Sequence, residues 1–323
     1  MTIPLNINSK ILLSGAAIIV AAALIIGATF AFFSDSEESL GNVLSAGALD
    51  LKIDSEAHYA GMVCNLQGVW EEDTNDGTDL TRSELIGEPC EGTWALKDLE
   101  EGDTFFELFD LKPGDNGENT ISLHVFDNDA WGRIRVTNIE DADVDCTEPE
   151  SESTDPECIV VPTPLPSPDT NGELSENLNF FLWLDEGSIP GFQCFDENTQ
   201  TRDPACDPGE GNNIFDPDEE PTTASSIGLD GEDIVILLAP GLAEAYADPD
   251  CTAANAPADG HNDYGICHGL ASDGRLVGSA TYYIGVSWEI DENAGNEAQT
   301  DSVSADISFD ITQHRNQSNP YLP

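Results

Sequence analysis

The sequence predicts an all-β fold, an antiparallel jelly-roll sandwich that carries long acidic disulfide-stapled loop insertions and follows an N-terminal apolar signal helix. Several stretches alternate apolar and polar residues with the period of two that is typical of half-buried strands. Turns rich in Pro, Gly and Asp separate these stretches, and cysteines bracket the polar segments between them. Roughly seven to nine strands with little helix bury their apolar faces best as two antiparallel sheets packed together.

The chain begins with an apolar run from Ile11 to Phe33. At about 23 residues, this run suffices for a transmembrane helix and equally fits a long signal peptide with a thin positive n-region. Thr29 and Ala31 are small residues spaced as signal peptidase requires. We therefore predict that residues 1–31 form a signal peptide, cleaved between Ala31 and Phe32. The alternative is an uncleaved anchor that leaves the acidic body outside the cell.

The chain is strongly acidic, with 63 Asp and Glu against 10 Lys and Arg and a formal net charge of −53. Such a surface repels nucleic acid and anionic lipid. We therefore expect no nucleic-acid partner, and membrane contact only through the N-terminal segment before its cleavage. The same surface attracts cations. General acidity, as in a salt-adapted protein or a solvating coat, is one interpretation, and specific calcium binding is the sharper one.

Eight cysteines follow the apolar run, and an even number in an exported chain indicates disulfides. They are Cys64, Cys90, Cys146, Cys158, Cys194, Cys206, Cys251 and Cys267. Pairing neighbours in sequence (64–90, 146–158, 194–206 and 251–267) would close short loops, each adding about 3 kcal/mol by restricting the unfolded chain. Eight cysteines allow 105 pairings, so the connectivity stays open. No Cys-x-x-Cys occurs, which argues against a zinc ribbon or a thioredoxin-like site.

The first half of the chain predicts four strands. The first contains Leu49, Leu51 and Ile53, which alternate with charged residues. Three more, at 104–111, 121–125 and 134–136, are separated by turn residues and predict a three-stranded antiparallel meander. Residues 73–79 have a composition that suits calcium, but their spacing lacks the EF-hand pattern, so we predict a solvated turn there.

The second half predicts three further strands, at 178–184, 282–290 and 303–312. The apolar run from Ile234 to Leu238 predicts either a buried strand or the approach to a short helix over 242–247. The predicted domain, residues 49–313, thus carries insertions at about 56–92, 140–172, 186–231 and 248–273. Residues 314–323 are predicted to be a flexible tail, which contains the glycosylation sequon Asn316-Gln317-Ser318.

The insertion at 186–231 contains the best candidate calcium site of the sequence. Carboxylates and amides crowd around glycines there, and calcium prefers six to eight oxygen ligands. The predicted ligands are Asp207, Glu210, Asn212, Asp216 and Asp218. An acidic loop without a bound ion is the alternative. Calcium is the only cofactor that we predict.

Three blocks of sequence resemble the TasA/camelysin family of secreted proteins. The blocks are Thr29 to Glu37 with Gly41-Asn42 and Ala46 to Leu51, then Asp110 to Asp115, and last Gly295 to Val303 with Phe309 to Gln313. The resemblance implies a jelly-roll fold and a secreted protein, extracellular or on the cell surface. It also implies processing by a dedicated SipW-type signal peptidase.

The resemblance further implies fibre formation by donor-strand complementation. Residues 32–48 of one copy would pair with the next copy through main-chain hydrogen bonds. We therefore expect self-association into an extracellular fibre, a biofilm matrix or a surface coat. The alternative for this segment is pairing within its own domain. A monomeric calcium-dependent adhesion module is the alternative function.

A metallopeptidase is a further alternative, because camelysin has been classed as one. The zincin motif His-Glu-x-x-His places two imidazoles on one face of a helix, and none of the five histidines forms it. Neither a Gly-x-Ser-x-Gly elbow nor a phosphate-binding P-loop occurs. We therefore predict no catalytic residues.

Overall fold

A computed structural model gives the fold, and its described residues belong to one compact unit that spans 47–323. The structure describes residues 49–74, 80–143, 172–187, 195–196, 201–202, 209–217, 220, 222–229, 232–249, 251–252 and 267–322. The predicted signal peptide, its cleavage position at Ala31 and Phe32, and the segment 32–48 lie outside these residues. Within the described part of the chain, no helix is both long enough and apolar enough to cross a membrane.

The described residues form thirteen strands and two α-helices. The strands are β1 (Asp50–Tyr59), β2 (Met62–Cys64), β3 (Trp70–Glu72), β4 (Trp94–Lys97), β5 (Asn116–Phe126), β6 (Ala130–Ala142), β7 (Leu178–Leu184), β8 (Phe195–Asp196), β9 (Thr201–Arg202), β10 (Thr222–Gly228), β11 (Ile234–Leu237), β12 (Thr281–Ile290) and β13 (Ser302–Gln313). The helices are α1 (Leu174–Asn177) and α2 (Leu238–Tyr246), and short 3₁₀ turns lie at Ser83–Leu85 and Asn296–Ala298. The predicted all-β class is confirmed.

Two antiparallel sheets make up the sandwich. The larger has eight strands in the order β10-β7-β12-β5-β1-β2-β3, with β4 also paired to β1. The smaller has three strands in the order β11-β6-β13. The pair β8 and β9 stands apart as a two-stranded ribbon. The two sheets agree with the predicted sandwich, while its finer description as a jelly roll stays a prediction.

The main core lies between the two sheets and beneath α2. Strands of the larger sheet contribute buried residues such as Ile121, Leu123 and Ile284, and the smaller sheet contributes Ile134 and Ile236. The alternation of strand side chains explains this, since every second residue faces the opposite sheet. A second buried cluster lies around Met62, Trp70 and Trp288 at one end of the larger sheet.

The predicted meander over 104–139 is wrong. Residues 104–111 form no strand, while β5 and β6 belong to different sheets. Both edges of β5 are occupied, one by β1 and the other by β12, so neither edge is left for a neighbouring hairpin strand. Phe105 is instead buried in the core, and its carbonyl accepts a hydrogen bond from Asn119 Nδ2 at 2.9 Å.

The predicted insertion at 56–92 also contains more sheet than expected. Strand β1 continues to Tyr59 and then pairs with β2, which pairs with β3. The disulfide between Cys64 and Cys90 closes this region, and a second disulfide joins Cys251 to Cys267. Both are pairs of neighbours in sequence, and the four cysteines at 146, 158, 194 and 206 lie outside the described residues.

The remaining predictions of regular structure agree with the described residues. Strands β7, β12 and β13 occupy the predicted positions. The run from Ile234 to Leu238 forms β11 and leads directly into α2, so both predicted outcomes occur. Pro240 falls in the first turn of α2, where its missing N–H costs no hydrogen bond.

Candidate functional site

A groove lined mostly by apolar residues, but with more polar than apolar surface exposed in it, opens between the start of β1 and strand β13. It has a volume of about 620 Å³. Its walls come from both sheets, and the lining residues are Leu49, Leu51, Ile53, Asp98, Leu99, Phe309, Asp310, Ile311, Thr312 and Tyr321. Its floor reaches the core, because Phe309 packs against the buried Phe105 ring with centroids 5.7 Å apart. The groove therefore offers apolar side-chain surface to a segment laid along it.

Unpaired strand edges flank this groove. Strand β13 ends the order of the smaller sheet, and in the described part of the chain only β6 pairs with it. Strand β1 pairs with β5 along its length, while β4 covers its other edge only from Ile53 onward. An exposed edge presents unpaired N–H and C=O groups in a row, which form a template for another strand.

Two of the ten basic residues of the chain lie on the outer face of the strands beside the groove. Arg133 Nη2 and Arg135 Nε both donate to Oδ2 of Asp310, each at 2.8 Å. The Arg133 guanidinium also stacks over the Tyr321 ring at 4.5 Å, so the chain after β13 lies against β6. These cations offset carboxylate charge at the border of the groove.

The described chain enters the sandwich at this groove. Leu49, the first described residue, is half-buried and lines it. Residues 32–48, the predicted donor segment, come directly before Leu49 in the sequence. The groove and the edge of β13 therefore lie where the described chain begins.

A second candidate site is a cluster of buried acids on the side of the larger sheet that carries the 186–231 insertion. Asp185 follows directly after β7 and is fully buried, while Glu220 lies 6% exposed. Asp185 Oδ2 accepts the Asn213 N–H at 2.7 Å, and Glu220 accepts the N–H groups of Gly187 at 3.1 Å and Asp216 at 2.9 Å. Each carboxyl group thus ties the insertion to the end of β7.

The two carboxyl groups also contact each other. Burial raises the pKa of Asp185 and of Glu220, and the negative charge of Asp185 raises the pKa of Glu220 further. Desolvation disfavours the charged form of a carboxyl group, and a second carboxylate beside it adds repulsion. The pair therefore favours a state that shares one proton or one neutralising cation.

More acids surround this pair. Glu186 and Glu210 are each 3% exposed, and their backbones form an isolated antiparallel bridge. Asn213 is 1% exposed, and among the described residues neither its side-chain oxygen nor its side-chain nitrogen has a hydrogen-bond partner. The insertion also packs on β7 through aromatic rings, since Phe215 contacts Phe181 with ring centroids 4.7 Å apart.

Three of the five predicted calcium ligands lie among the described residues. Glu210 is buried, Asp216 is exposed, and Asn212 uses its Oδ1 to accept the Ile214 N–H at 2.8 Å. Asp207 and Asp218 lie outside the described residues. Among the described residues, no group of three or more His, Cys, Asp or Glu side chains is arranged to hold a metal ion. Calcium binding stays a prediction.

Sequence reasoning missed Asp185 and Glu220. Asp185 stood at the end of a strand prediction and Glu220 among many other acids, so neither stood out. The sequence nevertheless contains a signal for Asp185. This acid directly follows the apolar run Phe180 to Leu184, so it stands at the end of a strand that is expected to be buried.

The histidines of the described chain are dispersed. His58 and His124 lie on the same face of neighbouring strands, but His58 is opposite Glu118 and His124 opposite Lys52. Six residues at about 3.3 Å each separate them by roughly 20 Å, too far for one metal ion. His124 instead contacts Asp54 Oδ2 through Nε2 at 2.7 Å, and His58 contacts Asp73 Oδ2 through Nδ1 at 2.9 Å.

Residues 6–67 match the family model described as camelysin metallo-endopeptidase. The matched residues contain the apolar run, the segment 32–48 and the strands β1 and β2. No curated protein matches the chain. Strand β13, the acidic cluster and the second and third blocks of the resemblance lie outside the matched residues. The similarity confirms the predicted resemblance to the TasA/camelysin family over residues 6–67.

Proposed function

We propose that this protein is a secreted structural subunit of an extracellular fibre, matrix or surface coat, in which each copy lends residues 32–48 to the groove of the next. The match to the camelysin family model fits a secreted matrix-type protein. The observation that carries the proposal is the apolar groove beside the free edge of β13. A strand added to that edge would satisfy its unpaired backbone groups and cover its apolar walls.

The lengths are compatible. Strand β13 has 12 residues, which span roughly 40 Å at about 3.3 Å per residue. A fully extended 32–48 segment reaches roughly 56 Å by the same measure. One copy could therefore cover most of the edge of β13 and still leave residues to bridge the junction between copies.

The composition of the segment suits the groove. It contains Leu40, Val43 and Leu44, and cleavage after Ala31 would expose Phe32 and Phe33 at its start. Burying one such aliphatic or aromatic side chain contributes about 1.5–3 kcal/mol. The gain opposes the entropy lost when the segment becomes ordered. Main-chain hydrogen bonds to β13 would set the register.

Charge opposes the assembly. Each processed copy carries a formal charge of −54, because residues 1–31 contain Lys10 and no acidic residue, so neighbouring copies repel one another at low ionic strength. Salt shortens the range of this repulsion to about 8 Å at 0.15 M and about 3 Å at 1 M. Polymerisation should therefore depend on salt, and Arg133 and Arg135 place positive charge beside the receiving groove.

Electron microscopy of the processed, exported protein tests the proposal. We expect filaments from the wild type and none from a variant that lacks residues 32–40. A synthetic peptide of residues 32–48 should cap the wild-type grooves and shorten the filaments, while a scrambled peptide of the same composition should not. Monomers in every salt condition, or filaments that survive the deletion, would refute the proposal.

The acidic cluster supports a second candidate, a monomeric calcium-dependent adhesion module. Buried carboxyl groups with raised pKa values gain from a neutralising cation. Calcium-dependent attachment of a monomeric protein to cells, abolished by a chelator, would favour this function over the fibre.

The name of the matching family model supports a third candidate, a metallo-endopeptidase. Casein cleavage that is lost on chelation and restored by zinc would establish it. No residue can be assigned to that reaction, since the described histidines do not converge.

A further inference from the structure

We propose that Asn316 is an N-glycosylation site, modified during export with a glycan from a lipid-linked phosphosugar donor. The inference rests on the export that is part of the proposed function and is independent of fibre assembly. It concerns the turn after β13, where Asn316, Gln317 and Ser318 form the acceptor pattern Asn-x-Ser with no proline at the middle position.

The pattern occurs once in the chain. None of the other asparagines is followed two positions later by Ser or Thr, including Asn319, which precedes Pro320 and Tyr321. A single match in 323 residues carries little weight by itself. The position of this one in the fold is the second observation.

The sequon lies on a tight, anchored turn. The His314 N–H donates to the Asp129 carbonyl at 2.9 Å, which fixes the start of the turn, and the Gln317 N–H donates back to the His314 carbonyl at 3.3 Å. Asn316 has a φ of 65°, a left-handed conformation that asparagine tolerates better than most residues. Asn316 therefore sits at the tip, at a position that turns commonly give to asparagine.

The three side chains of the sequon have different roles in the turn. Gln317 folds back, and its Nε2 donates to Thr312 Oγ1 at 3.2 Å and to the Gln313 carbonyl. Asn316 and Ser318 are exposed on either side of it. The two groups that a glycosyltransferase must read, the amide and the hydroxyl, are thus both on the surface.

The chemistry needs one co-substrate. Asn316 Nδ2 would attack the anomeric carbon of a sugar bound through oxygen to a lipid-linked phosphate. A carbon–nitrogen bond forms, the carbon–oxygen bond to the phosphate breaks, and the amide nitrogen loses one proton. The lipid phosphate leaves with the bonding electron pair, so the transfer requires neither oxidant nor reductant.

The location gives the glycan a consequence for the groove. Thr312, which holds Gln317, and Tyr321, five residues beyond Asn316, both line the groove. A hydrated, bulky glycan on Asn316 would therefore stand beside that apolar opening. It would limit non-specific contact of apolar surfaces there without adding to the negative charge of the chain.

Peptide mass spectrometry of the full-length protein, exported by its own cells, tests the site. A protease that cuts before aspartate releases one peptide that starts at Asp310 and contains both Asn316 and Asn319. We expect this peptide to carry a sugar mass that fragmentation places on Asn316. The mass should be lost in Asn316→Gln and in Ser318→Ala.

Two variants serve as matched controls. Ser318→Thr preserves the acceptor pattern and should keep the sugar, whereas Asn319→Gln changes a neighbouring half-buried turn residue outside the pattern and should also keep it. An unmodified peptide from the exported wild type would overturn the proposal. The same digest shows whether the protein was exported and cut before Phe32, and microscopy of the same sample shows whether filaments form, so failure of the site is distinguishable from failure of the proposed function.

Discussion

The indole of Trp183 on β7 lies across the backbone of Gly285, its partner on β12. A Cβ at position 285 would overlap the indole ring. Trp183 is 1% exposed, and Phe215 of the insertion covers it with ring centroids 5.7 Å apart. Because Gly285 has no side chain, the Trp183 indole fits against its backbone. The insertion packs on this indole through Phe215, and Trp183 precedes the buried Asp185 by two residues.

We therefore expect Gly285→Ala to destabilise the protein. The alanine methyl group must displace Trp183 from a filled layer, which typically costs about 1–3 kcal/mol. Gly228→Ala is the matched control, because a Cβ there meets nothing within 4 Å and the residue also lies in a strand. Chemical unfolding followed by tryptophan fluorescence measures both. Equal effects of the two substitutions would contradict the role of Trp183.

Replacing Glu220 by Gln should change how stability depends on pH. The folded state raises the pKa of this group, so the folded protein binds more protons than the unfolded chain above the ordinary carboxyl range. Stability of the wild type therefore falls as the pH rises from about 4.5 through the raised pKa. Glutamine stays neutral over this pH range, so the variant does not lose stability by ionisation at position 220.

We expect the effect of Glu220→Gln on the unfolding free energy to be about 1–3 kcal/mol more favourable near pH 8 than near pH 4. This gain is set against a cost that does not depend on pH, because glutamine leaves one of the N–H groups of Gly187 and Asp216 without its acceptor. Both proteins are unfolded in chelator to exclude divalent cations. Glu176→Gln is a control, since that acid lies in α1, before β7 in the sequence. A gain of equal size at both pH values would show that the effect is not ionisation.

Calcium should stabilise the wild type if it binds among these acids. A ligand that binds only the folded state adds about 2.7 kcal/mol at a concentration 100 times its dissociation constant. The melting temperature is compared in calcium and in sodium chloride of equal ionic strength. We expect the calcium-specific increase to be lost in a double variant, Asp185→Asn with Glu220→Gln. An equal increase in both salts would identify screening alone.

A charge placed in the groove should block assembly without unfolding the subunit. Ile311 lines the groove and is half-buried, so Ile311→Asp would put a carboxylate where an apolar donor residue must pack. Val235→Asp is the control on the same small sheet, because Val235 is 50% exposed and lies on β11 at the opposite edge. Sedimentation of filaments measures assembly, and circular dichroism checks the fold. Filaments from Ile311→Asp would argue against this groove.

Assembly should also increase with salt. Repulsion between processed copies, each with a formal charge of −54, falls as the screening length shortens. We expect the subunit concentration needed for filaments to decrease from about 0.1 M to about 1 M sodium chloride, a range over which the screening length drops from about 10 Å to about 3 Å. Sucrose at equal osmolarity controls for general solvent effects. No dependence on salt would show that apolar contact dominates.

Periodicity located most of the strands, because a half-buried strand needs alternate apolar residues and β7, β12 and β13 have them. The same local pattern could not say which strands pair. Residues 104–111 have strand-like composition, yet they find no free edge, since β1 and β12 already occupy both sides of β5. Pairing is a competition among distant segments, and a local pattern does not contain its outcome.

The sequence by itself determined the all-β class, the apolar run from Ile11 to Phe33, the acidity and the presence of a sequon, because each depends on residue type and spacing alone. Only the tertiary structure decided where the groove lies, because its walls come from β1 and β13, which are the first and last strands in the sequence. It also decided which acids are buried together. Asp185 and Glu220 are ordinary carboxylates until folding removes water from both and places them in contact.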